Sequence, residues 1–341
     1  MTDRPRVSAV LLTYQQAPWA AAALSGLLAQ TWAPLEIVVA DDGSTDGTFA
    51  ALEATARGYA GPHALLLLPG GTHRGLIPNL NRAVAATHGE LLVGAAGDDV
   101  SLPHRVAATV EAWTAAGRPE GSVFLGYEPL FEDGPVKLDP TLPETFPAAA
   151  QVAACGARVP GCSHTWHRAL YDRFGPLPEG VPVEDKALAF RATLLDGIVF
   201  QDVPAVRYRL HGGNLSRSVR PDHETYAAQT ARAHRAYRQQ VGLLQGFAHD
   251  VVRAHELGRL PAAEARALLA AIRAQVARRE HEIGLDAPDL GPRLSAALAA
   301  LQGETVTPMR PRRRALQLLA AFFPALRPME RSIRQTLGLP H

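Results

Sequence analysis

The sequence is poor in cysteine. Cys155 and Cys162 are the only two in 341 residues, which excludes a disulfide framework. No run approaches the roughly 18 consecutive apolar residues of a membrane-spanning helix. The opening residues, Met1-Thr2-Asp3-Arg4-Pro5, lack the apolar segment of a secretory leader, so a cytoplasmic protein is expected. Aromatic residues make up only 6%. An excess of one charge is also missing, because the net charge is +1. That near-balance hides an asymmetry. Residues 306–341 hold seven Arg against one acid, Glu330, while the first 305 residues hold 27 basic and 32 acidic side chains. An acidic body with a basic tail argues against nucleic acid as the partner. With 47% hydrophobic and 20% charged residues, a sizeable core is available and wholesale disorder is excluded.

Apolar runs at Val7–Thr13, Leu35–Ala40, Ala64–Leu68 and Glu90–Ala95 read as buried strands. Helical segments lie between and after them, at about 18–30, 44–57, 75–88 and 103–116. Ser44, Thr45 or Asp46 is placed to cap the second of these. Strands alternating with helices predict an α/β domain with a mostly parallel sheet flanked by helices. Past residue 120 the pattern loosens. Strands are expected at Ser122–Tyr127 and Ile198–Val206, and helices at about 148–156, 167–174 and 184–195. From Asp222 the composition turns to Ala, Arg, Leu, Glu and Gln. That stretch predicts two or three amphipathic helices broken at 258–261 and 284–292. The expected division is a catalytic domain at 1–220, a helical extension at 221–305 and a basic amphipathic tail at 306–341.

Ligands of parallel α/β sheets bind at the carboxyl ends of strands. Three polar clusters fall at such ends: Thr13-Tyr14, Asp41-Asp42-Gly43-Ser44 and Asp98-Asp99. Asp, Gly and Ser also make ordinary turns and helix caps, but the convergence of three clusters on one rim points to a site. Adjacent carboxylates repel each other and raise one pKa. A divalent cation removes that penalty, and Mg²⁺ or Mn²⁺ takes one or two carboxylates plus phosphate oxygens. Asp98-Asp99 therefore reads as a cation and diphosphate site, with a solvated turn as the plain alternative.

Three stretches, VSAVLLTYQQ, LAQTWAPLEIVVADDGSTDGT and NLNRAVAATHGELLVGAAGDDV, together resemble the family 2 glycosyltransferases of the GT-A fold. Gln15 stands where that family usually has Asn, and Gly97-Asp98-Asp99 replaces a full Asp-x-Asp. The resemblance spans about residues 5–218. It implies a Rossmann-like GT-A sheet and inverting transfer from a nucleoside-diphosphate sugar, with a UDP-sugar favoured. Thr13 and Tyr14 would line the base pocket, and Asp42, with Asp41, would accept a hydrogen bond from the base. Asp98 would touch ribose or metal, and Asp99 would ligate Mn²⁺ or Mg²⁺. Arg74 and Arg82 would reach phosphate, unless they simply decorate a solvated helix face. Asp185, supported by Glu184, would be the general base. The plain alternative there is a helix N-terminus that favours acids. Tyr208-Arg209-Leu210-His211 resembles the family's closing segment, with His211 as a further metal ligand. Trp166 and His164 would line the acceptor side, with core packing as the alternative for Trp166.

The acceptor expected on this reading is a glycan or a lipid-linked molecule, in cell-envelope or exported glycan synthesis. Basic residues around Ala315–Leu326 suit peripheral contact of 310–334 with the inner face of the cell membrane, or docking on the domain itself. A nucleotidyltransferase acting on sugar phosphates is the rival enzyme. It would normally carry a Gly-rich basic loop after the first strand, where this chain has Thr13-Tyr14-Gln15-Gln16. A catalytically degenerate scaffold is the third reading.

Overall fold

A computed structural model describes residues 4–131, 159–211 and 226–285. Its first half is a run of parallel strands, β1 (Val7–Thr13), β2 (Glu36–Asp41), β3 (Ala64–Leu68) and β4 (Leu91–Ala96), in spatial order β3-β2-β1-β4. Helices α1 (Ala20–Leu28), α2 (Thr48–Arg57) and α3 (Leu76–Ala85) make the crossovers. The apolar runs alternate in period 2 beneath their uniform appearance. Val7, Ala9 and Leu11 pack with α1, α2 and α4 (Arg105–Ala115) on one face. Val10, Val38 and Leu92 pack with α3 on the other. Both faces are covered, which is why the strands read as continuous apolar stretches.

The sheet continues through β7 (Thr165–His167), β6 (Ser122–Phe131), β8 (Ile198–Leu210) and the two-residue β5 (Val100–Ser101). Strand β7 runs antiparallel to both neighbours, with Trp166 opposite Leu92 on β4 and Ser122 on β6. It has three residues, too few to show a period in the sequence, and forms because edges on both sides are open to it. Helices α5 (Ala169–Asp172) and α6 (Glu184–Thr193) precede β8. Helices α7 (Tyr226–Glu256) and α8 (Ala262–Leu285) follow, broken at 257–261 as the composition predicts.

The core under α3 is not confined to the sheet. It runs from Val10 and Leu92 through Leu170 and Phe190 to Leu243, Phe247 and Ile272. The helical extension thus shares one packed interior with the sheet domain. Phe190 stacks on Phe247 with centroids 4.2 Å apart, a contact worth about 0.5–1.5 kcal/mol beyond its burial. Among the described residues no helix is long and apolar enough to cross a membrane. The helix expected at about 148–156 and the tail 306–341 lie outside the described residues.

Candidate active site

Strand register brings the three polar clusters together. Thr13 pairs with Asp41, and Leu12 pairs with Ala40 on one side and Ala96 on the other. The carboxyl ends of β1, β2 and β4 therefore form one rim, at the point where the strand order reverses.

The DDGSTDGT segment spends most of its polar groups on its own shape. Asp41 is 1% exposed. It accepts hydrogen bonds from Thr13 Oγ1 at 3.0 Å, Ser44 N at 2.8 Å and Ser44 Oγ at 2.6 Å. Gly43 has φ +76°, and a Cβ there would sit 2.8 Å from the backbone of Thr72. Asp42 reaches across to the loop ahead of α3. It accepts from Arg74 N at 2.9 Å and Gly75 N at 2.8 Å, and His73 Nδ1 lies 2.8 Å from its Oδ2. His73 stacks on the exposed ring of Tyr14, centroids 3.9 Å apart. Helix α2 starts at Thr48 with Gly47 as its N-cap, not Ser44, Thr45 or Asp46. Asp46 still serves that end, accepting from Thr48 N at 3.0 Å. It also accepts from Ala17 N at 3.0 Å.

The two arginines expected near phosphate part ways. Arg74 is exposed. The guanidinium of Arg82 donates to Pro69 O, Asp41 O and Asn79 Oδ1 at 2.7–2.9 Å. Arg82 therefore braces the turn from behind.

Asp98 and Asp99 sit in a tight, buried bend after β4. A Cβ on Gly97 would lie 2.6 Å from Thr13 Cγ2, so only glycine fits between β1 and the acids. Asp99 Oδ1 accepts from Arg209 N at 2.9 Å, and Arg209 Nε donates to Asp98 O at 2.8 Å. His211 Nε2 lies 3.1 Å from Asp98 Oδ2. Burial first, and then the charge of Asp98, push the Asp99 carboxyl up to about 8. Arg105 lies fully buried beneath, donating to Ser101 Oγ at 2.9 Å and Gly94 O at 2.5 Å. Desolvation lowers its pKa to about 10, opposed by the Cys162 and Asp99 charges. Trp19 covers the group: its ring meets His211 at 4.1 Å, and the Arg209 guanidinium lies 5.9 Å above it.

The third acidic pair arrives from beyond the parallel half. Glu184 and Asp185 open helix α6, with Val183 as an extended N-cap. Asp185 faces the 3-10 turn Gly161–Ser163. A Cβ on Gly161 would lie 2.7 Å from Asp185 Oδ2. The Cys162 thiol beside it is pushed up by burial, then by Asp99 and, more weakly, by Asp185. Cys162 is half-buried beside the turn, and its raised pKa keeps it a thiol. Burial holds Asp185 above the ordinary carboxylate range. Glu184 is pushed up to about 7, by burial and then by Asp185.

A family model for glycosyl transferase family 2 matches residues 8–164. An uncharacterised glycosyltransferase of Rickettsia felis is 24% identical over 220 residues, 63% of this chain and 36% of that one. Another, RT0329 of Rickettsia typhi, is 22% identical over 255 residues, 73% of this chain and 78% of that one. The chain spans little more than a third of the length of three curated relatives it matches. The crystal structure of S. aureus TarS 1-349 in complex with UDP-GlcNAc shares the fold. It has a TM-score of 0.61 at 16% identity and covers 97% of this chain and 92% of that one. Residues 8–164 carry a glycosyl transferase family 2 domain.

One expectation needs correction. Trp166 and His164 do not line an acceptor surface. Trp166 is 2% exposed, with its ring against Gly94 in the core. His164 is also 2% exposed, stacked on Phe124 at 4.2 Å, with Nε2 2.9 Å from Ser122 Oγ. Burial, then the Arg105 charge, lower its pKa to about 3. Both flank or occupy β7, and central strands bury both faces. Among the described residues no group of three His, Cys, Asp or Glu side chains is poised to hold a metal alone. Sequence reasoning missed Trp19, Arg209, His73 and Arg105. Arg209 lay in the quoted YRLH stretch and was readable. Trp19 and His73 carry no local signal and reach the rim only through folding.

Proposed function

We propose that this chain is an inverting glycosyltransferase that moves a sugar from a nucleoside-diphosphate sugar to an acceptor hydroxyl. What supports the reading is the contact of Asp185 with the Gly161–Ser163 turn, whose Cys162 feels the charges of both Asp99 and Asp185. Asp185 is the proton acceptor, and Asp98 and Asp99 are the acids suited to a diphosphate. Thr13, Tyr14 and Asp42 flank the base, and Asp42 takes a base N–H in exchange for His73 Nδ1. Asp41 organises that turn from beneath. Arg74 meets phosphate. Because a protein of this fold was crystallised with UDP-GlcNAc, a uridine donor is the first to test.

A divalent cation fits Asp98 and Asp99. The two carboxylates are adjacent and buried, and Asp99 is held up to about 8 by burial and its neighbour. That is the signature of a pair short of positive charge. Asp98 and Asp99 would hold the ion together with donor phosphate oxygens, as suits Mn²⁺ or Mg²⁺. The ion supplies positive charge against the departing diphosphate. His211 holds Asp98 in place.

Asp185 accepts the proton of the acceptor hydroxyl. The acceptor oxygen bonds to the anomeric carbon while the bond to the diphosphate oxygen breaks, its electron pair leaving with the nucleoside diphosphate. A carboxylate raised by burial is a better proton acceptor near neutral pH than a solvated one. Glu184, pushed up to about 7, supports Asp185 as a second carboxyl group. The acceptor is a glycan or a lipid-linked molecule in envelope or exported glycan synthesis, and the basic segment 310–334 attaches the enzyme peripherally to an anionic membrane face.

The test pairs thermal shift with anomeric proton NMR on UDP-GlcNAc, UDP-glucose, UDP-galactose and GDP-mannose with Mn²⁺. A true donor raises Tm and gives a product of inverted configuration. Asp185→Asn should cut transfer by about 10²–10⁴ and leave UDP binding intact. Wild-type transfer by Asp185→Asn, or a retained configuration, refutes the assignment.

A further inference from the structure

The family match ends at residue 164, before the acids at the head of α6. Those acids are held from behind by the helical extension. Arg191, two turns into α6, is 0% exposed, and its Nε donates to Asp250 Oδ2 on α7 at 3.0 Å. Its Nη1 donates to Leu170 O at 3.0 Å and Gly175 O at 2.7 Å. Asp250 is 2% exposed, and its Oδ1 has no hydrogen-bond partner among the described residues. Arg191 is therefore what keeps that carboxylate in the core.

Helix α7 also grips the segment that leads into Glu184. A Cβ on Gly246 would lie 2.9 Å from Val181, and one on Gly242 would run into the backbone of Gly180. Both positions on α7 are glycines where a side chain would push the lead-in segment away. One helix thus touches α6 in its last turn and grips the segment that enters it.

We propose that Arg191 and Asp250 are positioning residues for Asp185, and that α7 is part of the catalytic apparatus of this chain. The inference rests on the reading of Asp185 as general base. A buried ion pair is a weak source of net stability, because desolvation cancels much of its attraction. It is a strong source of register, because only one rotation and slide of α6 lets Arg191 reach Asp250 and two carbonyls together. Shifting α6 by a fraction of an ångström moves its first turn, and the Asp185 carboxylate with it, against the Gly161 turn. A misplacement near 1 Å costs up to about 100-fold in rate.

The experiment uses the full chain and three variants: Asp250→Asn, the apolar double variant Arg191→Met/Asp250→Leu, and Asp185→Asn. The probes are UDP with Mn²⁺ for binding and the four nucleotide sugars above for turnover, with water counted as an acceptor. Asp250→Asn and the double variant should lower kcat at least about tenfold, with donor KM and UDP Kd within about twofold. The double variant removes both buried charges, so its Tm should recover relative to Asp250→Asn while kcat stays low. If kcat recovers together with Tm, the pair serves stability alone and the inference fails. If the wild type turns over none of the donors, or Asp185→Asn keeps wild-type kcat, the functional reading has failed instead.

Discussion

Gly161→Ala tests the geometry of the site with one methyl group. Gly161 is not among the residues with positive φ, so alanine meets no backbone penalty there. Its Cβ would arrive 2.7 Å from Asp185 Oδ2, 3.1 Å from Asp185 Cβ and 3.3 Å from Cγ. Ordinary contact starts at 3.4 Å, so the carboxylate must retreat by about 0.7 Å. The obstacle is the end of a side chain, so the cost in stability stays near the low end of overpacking, about 1 kcal/mol. The cost in catalysis is larger. A general base has to lie within about 2.6–3.2 Å of the oxygen whose proton it takes, and most of an ångström carries it outside that window. The expected result is a fall in kcat of about 10- to 100-fold, with UDP affinity and donor KM nearly unchanged. Initial rates over a donor series, UDP titration calorimetry and a thermal melt separate these effects. Gly58→Ala is the control, because its nearest neighbour lies 3.9 Å away, at Thr55 O. Wild-type kcat in Gly161→Ala would refute the placement of Asp185 as the base.

Three further outcomes are expected. In chelator-treated protein, Asp99 has its pKa raised from 3.8 to about 8, so the stability it contributes is complete below about pH 4 and is lost as pH rises through 8. Asp99→Asn should flatten that decline and raise Tm by several degrees near pH 9, and an unchanged pH–Tm curve would contradict it. His164 behaves oppositely: its pKa is lowered from 6.5 to about 3, so stability present above pH 6.5 is lost on acidification, by at most about 1.4 kcal/mol per pH unit. His164→Gln should move the acid unfolding midpoint, followed by circular dichroism, to lower pH. Trp19→Ala removes the ring over His211 and should raise donor KM about tenfold with a loss of about 1 kcal/mol. An unchanged KM would reduce Trp19 to surface packing.

The strands of the parallel half were legible almost to the residue. Val7–Thr13 and Ala64–Leu68 coincide with the observed bounds, and the other two slip by one. Strands β5 and β7 were not legible, because two and three residues hold no period and form only where partner edges wait. The acids of the site were legible as clusters, since residue type and spacing mark strand ends. Their partners were not. Arg82 and Arg74 look alike in sequence, yet one is spent on four acceptors and the other is exposed. Trp166 and His164 have the chemistry of a sugar-facing surface and lie in the core.

By itself, then, the sequence determined the alternation of strands and helices, the clusters of carboxylates and the family resemblance, all of them properties of neighbours along the chain. Tertiary structure alone decided which groups meet: Asp99 accepts from Arg209 N across 110 residues of chain, and Asp185 faces the Gly161 turn. It alone made the helical extension continuous with the core behind α6. The physical reason is that contact between distant segments depends on packing and register, which composition and spacing do not encode locally.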